Sequence, residues 1–162
     1  MFDRAIVNSG PLVALSLIGR LDLLSALFAE CWIPEGVFNE VAVAGIGKPG
    51  AKSLLAAEWQ RRIRVSPPPD PLLVMELDAG EAEVISLARH LSPAIAIIDE
   101  RRGRRIAQQV YGLTVKGTAG ILVEAHRHGL MTGVRPALLE LRAAGYFIAD
   151  SVIAAACQAV GE

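Results

Sequence analysis

Four oxygen-bearing side chains stand where this sequence could build a metal site. Asn8 and Asp99 each end an apolar run that predicts a buried strand. In an open parallel sheet, ligands bind beyond the carboxyl ends of the strands. Glu40 and Glu81 lie on or beside the apolar side of predicted helices, where an ionised group is costly unless it has a cation or a donor. Together the four residues predict a small acidic cluster for a hard divalent metal ion.

Glu81 is the most informative of these acids, because it falls inside the apolar stripe of the helix predicted over residues 78–91. Glu83 falls on the opposite side, which we expect to face solvent together with Ser86. The alternative is a capping box, in which the Glu81 carboxylate bonds the backbone N–H of Asp78. That alternative does not exclude a metal role.

The other three residues also have structural alternatives. Asp99 could be only the N-cap of the helix that begins at Glu100, although its position after the most hydrophobic strand favours function. Asn8 could be a turn former that satisfies local backbone groups. Glu40 sits at the edge of a helical stripe and, taken alone, is an ordinary boundary residue. The residues of that stripe are Val37, Val41 and Ala44.

Four arginines follow Asp99 at the start of a predicted helix, where positive charge opposes the helix dipole. They are Arg101, Arg102, Arg104 and Arg105. They form either a solvated face or a rim that binds phosphates, since guanidinium groups match phosphate oxygens. The net charge of −1 excludes a molecule-wide field that attracts nucleic acid, so binding would need this local patch.

The elements that must position these residues alternate along the chain. Strands are predicted over 4–8, 31–33, 63–65, 94–98 and 113–115, and helices over 11–18, 21–28, 34–44, 51–60, 78–91, 100–111 and 118–128. Such alternation predicts an α/β fold of three layers, α/β/α, with a central and mostly parallel sheet. Residues 135–162 form a helical C-terminal extension. The proline run over residues 66–71 is too short for an interdomain linker and is expected to be an extended surface connection.

Length and composition bound the class of protein. A chain of 162 residues predicts a single domain, and 52% hydrophobic but only 5% aromatic residues suit helices that cover a buried sheet. The mean hydropathy of +0.41 indicates that part of the apolar surface lies in a homodimer interface. Neither a signal segment nor a membrane-spanning run is present, and the two distant cysteines lack metal-ligand spacing, so we expect a cytoplasmic protein with reduced thiols. The letters G-x-G-x-x-G at residues 45–50 follow a predicted helix rather than a strand, which argues against a dinucleotide site.

Several segments, in this order, resemble the PIN domain family. They are Ile6-Val7-Asn8-Ser9-Gly10-Pro11-Leu12, Ile33-Pro34-Glu35-Gly36-Val37-Phe38-Asn39-Glu40-Val41, Asp78-Ala79-Gly80-Glu81-Ala82-Glu83-Val84-Ile85-Ser86-Leu87-Ala88, Ile97-Ile98-Asp99-Glu100-Arg101-Arg102-Gly103-Arg104-Arg105 and Gly117-Thr118-Ala119-Gly120. PIN domains are mostly Mg²⁺- or Mn²⁺-dependent ribonucleases and include the VapC-like toxins of toxin–antitoxin pairs. The resemblance therefore implies a PIN-like fold, a divalent metal, RNA as substrate and an antitoxin as a candidate protein partner.

The resemblance also implies roles by position. The family's four metal-binding and catalytic positions fall on Asn8, Glu40, Glu81 and Asp99. The residues expected to contact nucleic acid are Ser9, Lys116, Thr118 and the arginines Arg101, Arg102, Arg104 and Arg105. Among these, Ser9 matches the hydroxyl that supports the first acid, and Thr118 lies where a helix N-terminus could meet a phosphate.

The chain departs from the family at Asn8, where an aspartate is usual. An amide oxygen can still bind Mg²⁺, but one negative charge is lost. We therefore expect a metal-dependent ribonuclease, with a PIN fold that binds nucleic acid or a protein without turnover as the alternative. A receiver-like signalling domain is a third possibility, disfavoured because it needs an acidic pair after the first strand, where this chain has Asn8-Ser9.

Overall fold

Five parallel strands form one central sheet in the order β3-β2-β1-β4-β5. The computed structural model describes residues 3–162. Its elements in chain order are β1 (Arg4–Val7), α1 (Ser9–Leu17), α2 (Asp22–Leu27), β2 (Glu30–Pro34), α3 (Glu35–Phe38), a π-helical turn (Asn39–Val43), α4 (Ala51–Leu54), α5 (Ala57–Gln60), β3 (Ile63–Arg64), α6 (Pro71–Glu76), α7 (Ala79–His90), β4 (Ile95–Ile97), α8 (Arg101–Gln109), β5 (Thr114–Lys116), α9 (Thr118–Arg127), α10 (Val134–Ala143) and α11 (Asp150–Val160). This architecture confirms the predicted three-layer α/β/α fold with its helical C-terminal extension.

The sheet is buried on both faces at its centre. Ala5, Ile6 and Val7 of β1 are fully buried, as are Ala96 and Ile97 of β4, which explains their continuous apolar runs. In the sheet, β2 and β3 lie on one side of β1, and the later strands β4 and β5 lie on the other side. The direction of winding therefore switches between β1 and β4, and the crevice at their carboxyl ends is the expected ligand position.

The helix predicted over residues 34–44 is not a single α-helix. It changes after Phe38 into the π-helical turn, in which the Ala44 N–H donates to the Asn39 carbonyl at 2.8 Å across five residues. The wider turn rotates the apolar stripe, so Ala42 is buried and Ala44 is exposed. The expected stripe was therefore wrong at Ala44.

The outer face of α7 is covered rather than solvated. The Ser86 hydroxyl donates to the Pro67 carbonyl at 2.8 Å, and the Ser66 hydroxyl donates to the Glu83 carbonyl at 3.2 Å. Ser86 is buried and Glu83 is half-buried. The prediction that Glu83 and Ser86 face solvent was wrong, because the proline-rich segment packs on this face and bonds the Ser86 hydroxyl and the Glu83 backbone carbonyl.

Helix α6 begins at Pro71, a favourable first helical position, inside the stretch that was expected to be extended. The two cysteines are buried and unpaired, as expected of reduced thiols. In residues 3–162 no helix is long and apolar enough to cross a membrane.

Candidate metal centre

Asn8 follows β1 and occupies the N-cap position of α1, yet its side chain makes no capping hydrogen bond. The residue is only 4% exposed, and its Oδ1 has no hydrogen-bond partner among the described residues. A buried acceptor without a donor costs about 1–3 kcal/mol. A local turn-forming role therefore does not account for Asn8, and its amide oxygen is open to a cation.

Glu40 projects from the π-helical turn toward the same place. A methyl group on Gly80 would lie 3.1 Å from Glu40 Oε2 and 3.4 Å from Asn8 Oδ1, so both oxygens border one small volume beside α7. Partial burial raises the pKa of Glu40, and the charge of Asp78 raises it further, while the Ser9 side chain partly offsets the shift. Single π turns are frequent at functional sites, and this one directs an acid at the strand edge.

Glu81 is the buried acid that its helical position predicts, with 6% of the residue exposed. Asp78 caps α7 by accepting the Glu81 N–H at 2.8 Å, while Glu81 Oε2 packs beside Gly103, 3.3 Å from where a methyl group there would lie. Burial, and then the charges of Asp78 and Glu100, raise the pKa of Glu81 to about 7; Glu40 adds to this effect. Only the Asp78 half of a capping box is therefore formed, and the Glu81 carboxylate is crowded by other acids.

Asp99 has a different environment from the other three. The Thr118 N–H donates to Asp99 Oδ1 at 2.7 Å, and the Thr118 hydroxyl donates to Oδ2 at 2.6 Å. The Tyr146 hydroxyl donates to the same Oδ2. A carboxylate has about four acceptor positions, so these bonds saturate Oδ2 and leave one position on Oδ1. Asp99 does not cap the helix after it, whose N-cap is Glu100, but caps α9 across the sheet edge.

The predicted site residues thus form two groups at one edge of the sheet. We call Asn8, Glu40 and Glu81 the acidic cluster, and Asp99, Thr118 and Tyr146 the Asp99 network. Glu100 adjoins both groups, since its charge raises the pKa of Glu81 and also contributes to the raised pKa of Tyr146, which comes chiefly from burial. Within residues 3–162, no three His, Cys, Asp or Glu side chains converge closely enough to hold a metal ion by themselves. A cation here would need the Asn8 amide or water as a further ligand, which suits Mg²⁺ because it keeps several waters.

Comparison with known families decides the class of domain that carries this arrangement. The family model DUF3368, described as a PIN domain, matches residues 4–162. The chain belongs to the PIN-domain family. No curated protein and no solved structure matches it significantly.

As a PIN domain, the chain carries a nuclease fold, and the site residues implied by the resemblance can be placed in it. Ser9 lies beside Glu40. Thr118 is 2% exposed, and its N–H and hydroxyl already bond Asp99, so the N-terminus of α9 is not open to a phosphate in this arrangement. Lys116 Nζ lies 3.3 Å from Glu124 Oε1 and is paired with that carboxylate.

The four arginines of this PIN domain do not act as one rim. Arg104 Nη1 donates to the Ile98 carbonyl at 3.1 Å and borders Asp99, because both Arg104 Nη1 and Asp99 Oδ1 lie 2.7 Å from where a methyl group on Gly117 would be. Arg102 pairs with Glu76. The exposed guanidinium groups of Arg101 and Arg105 remain available to a phosphate backbone.

Sequence reasoning missed Tyr146 and the glycines that make room for the site. Tyr146 lies between α10 and α11, far along the chain from Asp99, and only the Gly145-Tyr146-Phe147 break in the helical pattern marked the segment. Gly80, Gly103 and Gly117 each lie against a site oxygen at a distance that leaves little or no space for a side chain. Of the three, only Gly80 stands next to a predicted acid in the sequence, so it alone was a signal that the sequence contained.

Proposed function

We propose that this PIN domain is a metal-dependent ribonuclease that hydrolyses RNA phosphodiester bonds. The observation that carries the proposal is the acidic cluster, in which the buried Asn8 Oδ1 has no donor while Glu40 Oε2 borders the same volume. Carboxylates whose pKa is raised by burial and by neighbouring acids are complementary to a hard cation, and so is an amide oxygen without a partner. PIN domains generally use divalent metals, so Mg²⁺ or Mn²⁺ fits this donor set.

Each residue has a stated part in the proposal. Asn8 and Glu40, whose oxygens border one volume, would hold the ion directly, and Glu81 and the free position on Asp99 Oδ1 would reach it through bound water. When bound, the ion would supply an activated water and stabilise the leaving oxygen. Thr118 and Tyr146 keep the Asp99 carboxylate in one orientation through Oδ2. Arg101 and Arg105 would attract and position the backbone phosphates.

The test is cleavage of a mixture of single-stranded and structured RNA in Mn²⁺, beside a Glu40→Gln control. Glu40 is exposed, so this variant removes a ligand charge without opening a cavity. We expect cleavage by the wild type that is abolished by chelator and by Glu40→Gln. Cleavage that survives both would show that the acidic cluster is not the site.

A second candidate is a PIN fold that binds RNA or a protein without turnover. The observation that favours it is Asn8 itself, since the missing charge lowers metal affinity. At about 4 Å one unit charge is worth on the order of 1–4 kcal/mol for each unit of metal charge. Retained RNA binding with no cleavage by the wild type at any Mn²⁺ concentration would select this candidate.

Narrower forms of the proposal rest on the family resemblance and on composition. We propose a single domain, a homodimer, a cytoplasmic location and, as one form, the toxin of a toxin–antitoxin pair. Sedimentation reads out the dimer, to which exposed apolar residues such as Met75 and Val65 could contribute. Growth arrest on expression, relieved by Glu40→Gln, tests the toxin.

A further inference from the structure

The connection between α10 and α11 brings a tyrosine hydroxyl to the crevice at the carboxyl ends of β1 and β4. The Tyr146 hydroxyl donates to Asp99 Oδ2, and it lies 3.1 Å from where a methyl group on Gly10 would be. Asp99 Oδ2 lies 3.8 Å from the same point. Gly10 belongs to the first turn of α1, directly after Asn8 and Ser9. The hydroxyl therefore borders both elements that start from this crevice.

Asp99 and the acidic cluster adjoin at this crevice. Strands β1 and β4 are parallel neighbours, and the Asn8 N–H donates to the Ile97 carbonyl at 3.0 Å. Asp99 follows Ile97 by two residues, and the helix after it packs Gly103 against the Glu81 carboxylate. Asp99 is therefore placed to be a further ligand for an ion at the acidic cluster, directly or through water.

The Tyr146 bond takes a position on Asp99 that a cation or its bound water could use. Thr118 bonds both carboxylate oxygens, through its N–H at 2.7 Å and its hydroxyl at 2.6 Å, and so already fixes the orientation of the carboxylate. The Tyr146 hydroxyl fills the second of the two acceptor positions on Oδ2. Its hydrogen carries partial positive charge, which disfavours a cation on that side of Asp99.

The connection that carries Tyr146 is held in place from both sides. Before it, the Tyr146 N–H donates to the Leu141 carbonyl at 3.0 Å. After it, Ile148 is buried, and its carbonyl accepts from Arg142 Nη2 at 2.8 Å. An ordered backbone loses little entropy when it keeps the hydroxyl on Asp99. An ion that needs this carboxylate must therefore displace a well-supported hydrogen bond.

We propose that Tyr146 competes with the divalent ion for Asp99, so that the connection between α10 and α11 limits the metal affinity of the centre. Groups that compete for one carboxylate are coupled, and the coupling is reciprocal. Removing the hydroxyl should therefore strengthen metal binding, and metal binding should loosen Tyr146 from Asp99. A tyrosine that only orients Asp99 gives the opposite sign, since loss of such a contact weakens metal binding by about 10–100-fold. This inference rests on the proposed function, because it requires a cation at the acidic cluster.

The test is a titration of the full chain with Mn²⁺ at one fixed pH, in which electron paramagnetic resonance measures the free ion. Tyr146→Phe removes the hydroxyl and keeps the ring. The matched control is Tyr111→Phe, because the hydroxyl of this other tyrosine also donates to an aspartate, Asp70, at 3.2 Å. We expect Tyr146→Phe to lower the dissociation constant for Mn²⁺ by about fivefold or more, and Tyr111→Phe to leave it unchanged.

A second measurement follows the coupling from the side of the tyrosine. Adding Mg²⁺ to the wild type should change the near-ultraviolet absorption of tyrosine, because the Tyr146 hydroxyl loses its bond to Asp99. Tyr146→Phe should remove this spectral change, whereas Tyr111→Phe should retain it.

Three results would overturn the inference. One is a Mn²⁺ affinity that Tyr146→Phe leaves unchanged or weakens, and another is an equal gain in Tyr111→Phe. The third is a wild-type tyrosine spectrum that Mg²⁺ does not alter. These results leave the ribonuclease proposal standing, whereas the absence of Mn²⁺ binding by both the wild type and Tyr146→Phe removes both proposals.

Discussion

The two groups of polar residues at this sheet edge differ in how well their charges are satisfied. In the Asp99 network, Thr118 and Tyr146 supply three donors to one carboxylate, and Arg104 lies beside it. In the acidic cluster, Asn8 Oδ1 has no donor, and burial together with neighbouring acids raises the pKa of Glu40 and of Glu81.

The Asp99 network stabilises the fold by itself, whereas the acidic cluster stabilises it only with a bound cation. The Asp99 network is complete without a cation, because its hydrogen bonds hold the N-terminus of α9 and the segment around Tyr146. The acidic cluster is destabilising without a cation, because burial and repulsion disfavour its charged form. Removing a negative charge from each of the two groups should therefore change the stability of the metal-free protein in opposite directions.

The largest expected effect comes from Asp99→Asn in chelator. The side chains have the same shape, but an amide nitrogen cannot accept the hydrogen bonds of Thr118 and Tyr146, so buried donors are left unpaired. We expect the free energy of unfolding to fall by about 3 kcal/mol, for the two charge-assisted bonds at Oδ2. Urea denaturation checks this against Glu40→Gln, which should leave stability equal or higher. A loss confined to Glu40→Gln would reverse the assignment of the two groups.

Asn8→Asp sharpens the contrast, because the sign of its effect on stability depends on whether the metal is bound. In chelator the new carboxylate is buried beside Glu40, and we expect a loss of about 2 kcal/mol through desolvation and like charge. On adding Mn²⁺ the variant should be stabilised more than the wild type, since a ligand that binds only the folded state shifts unfolding by mass action. Thermal melts in chelator and in Mn²⁺ measure both. Equal stability in the two conditions would place Asn8 outside any metal site.

Glu81 makes the metal-free protein sensitive to pH. The pKa of Glu81 is about 7 in the folded protein, and its ordinary value is 4.5. Between these two pH values the folded state therefore binds the proton more tightly than the unfolded state does. Stability in chelator should therefore fall as the pH rises from 4.5 through 7, by on the order of 2 kcal/mol. Glu81→Gln resembles the protonated form and should remove the fall. It should also reduce the stabilisation by Mn²⁺, whereas Glu83→Gln, on the covered outer face of α7, should retain it.

The smallest expected effect comes from a pair of glycines in and next to α9. A methyl group on Gly117 would lie 2.7 Å from Asp99 Oδ1 and from Arg104 Nη1, whereas one on Gly120 meets Lys116 side-chain atoms at 3.6 Å or more. Gly117→Ala should cost about 1 kcal/mol by displacing the Asp99 side chain, as overpacking does. Gly120→Ala should stabilise by about 0.5–1 kcal/mol, because it replaces a helix-interior glycine. Thermal melts that give both variants the same sign would contradict this account.

The local pattern of the chain was enough to predict the three-layer fold and the edge where the site lies. The fully apolar runs before Asn8 and Asp99 required strands buried on both faces, and parallel strands bring their carboxyl ends to one edge. Periodicity likewise placed Glu81 on the buried side of α7. These features depend on residues that are close together along the chain, so they can be predicted from the sequence.

Only the tertiary structure decided which of the four residues are satisfied. Tyr146 reaches Asp99 across 47 positions of the chain, and the proline-rich segment covers Glu83 from outside α7. The π-helical turn that aims Glu40 at Gly80 also leaves no clear mark in the apolar pattern. Hydrogen bonding, desolvation and charge repulsion act through space between distant segments. The sequence alone therefore determined where the polar atoms gather, and the packed structure determined which of them still lack a partner.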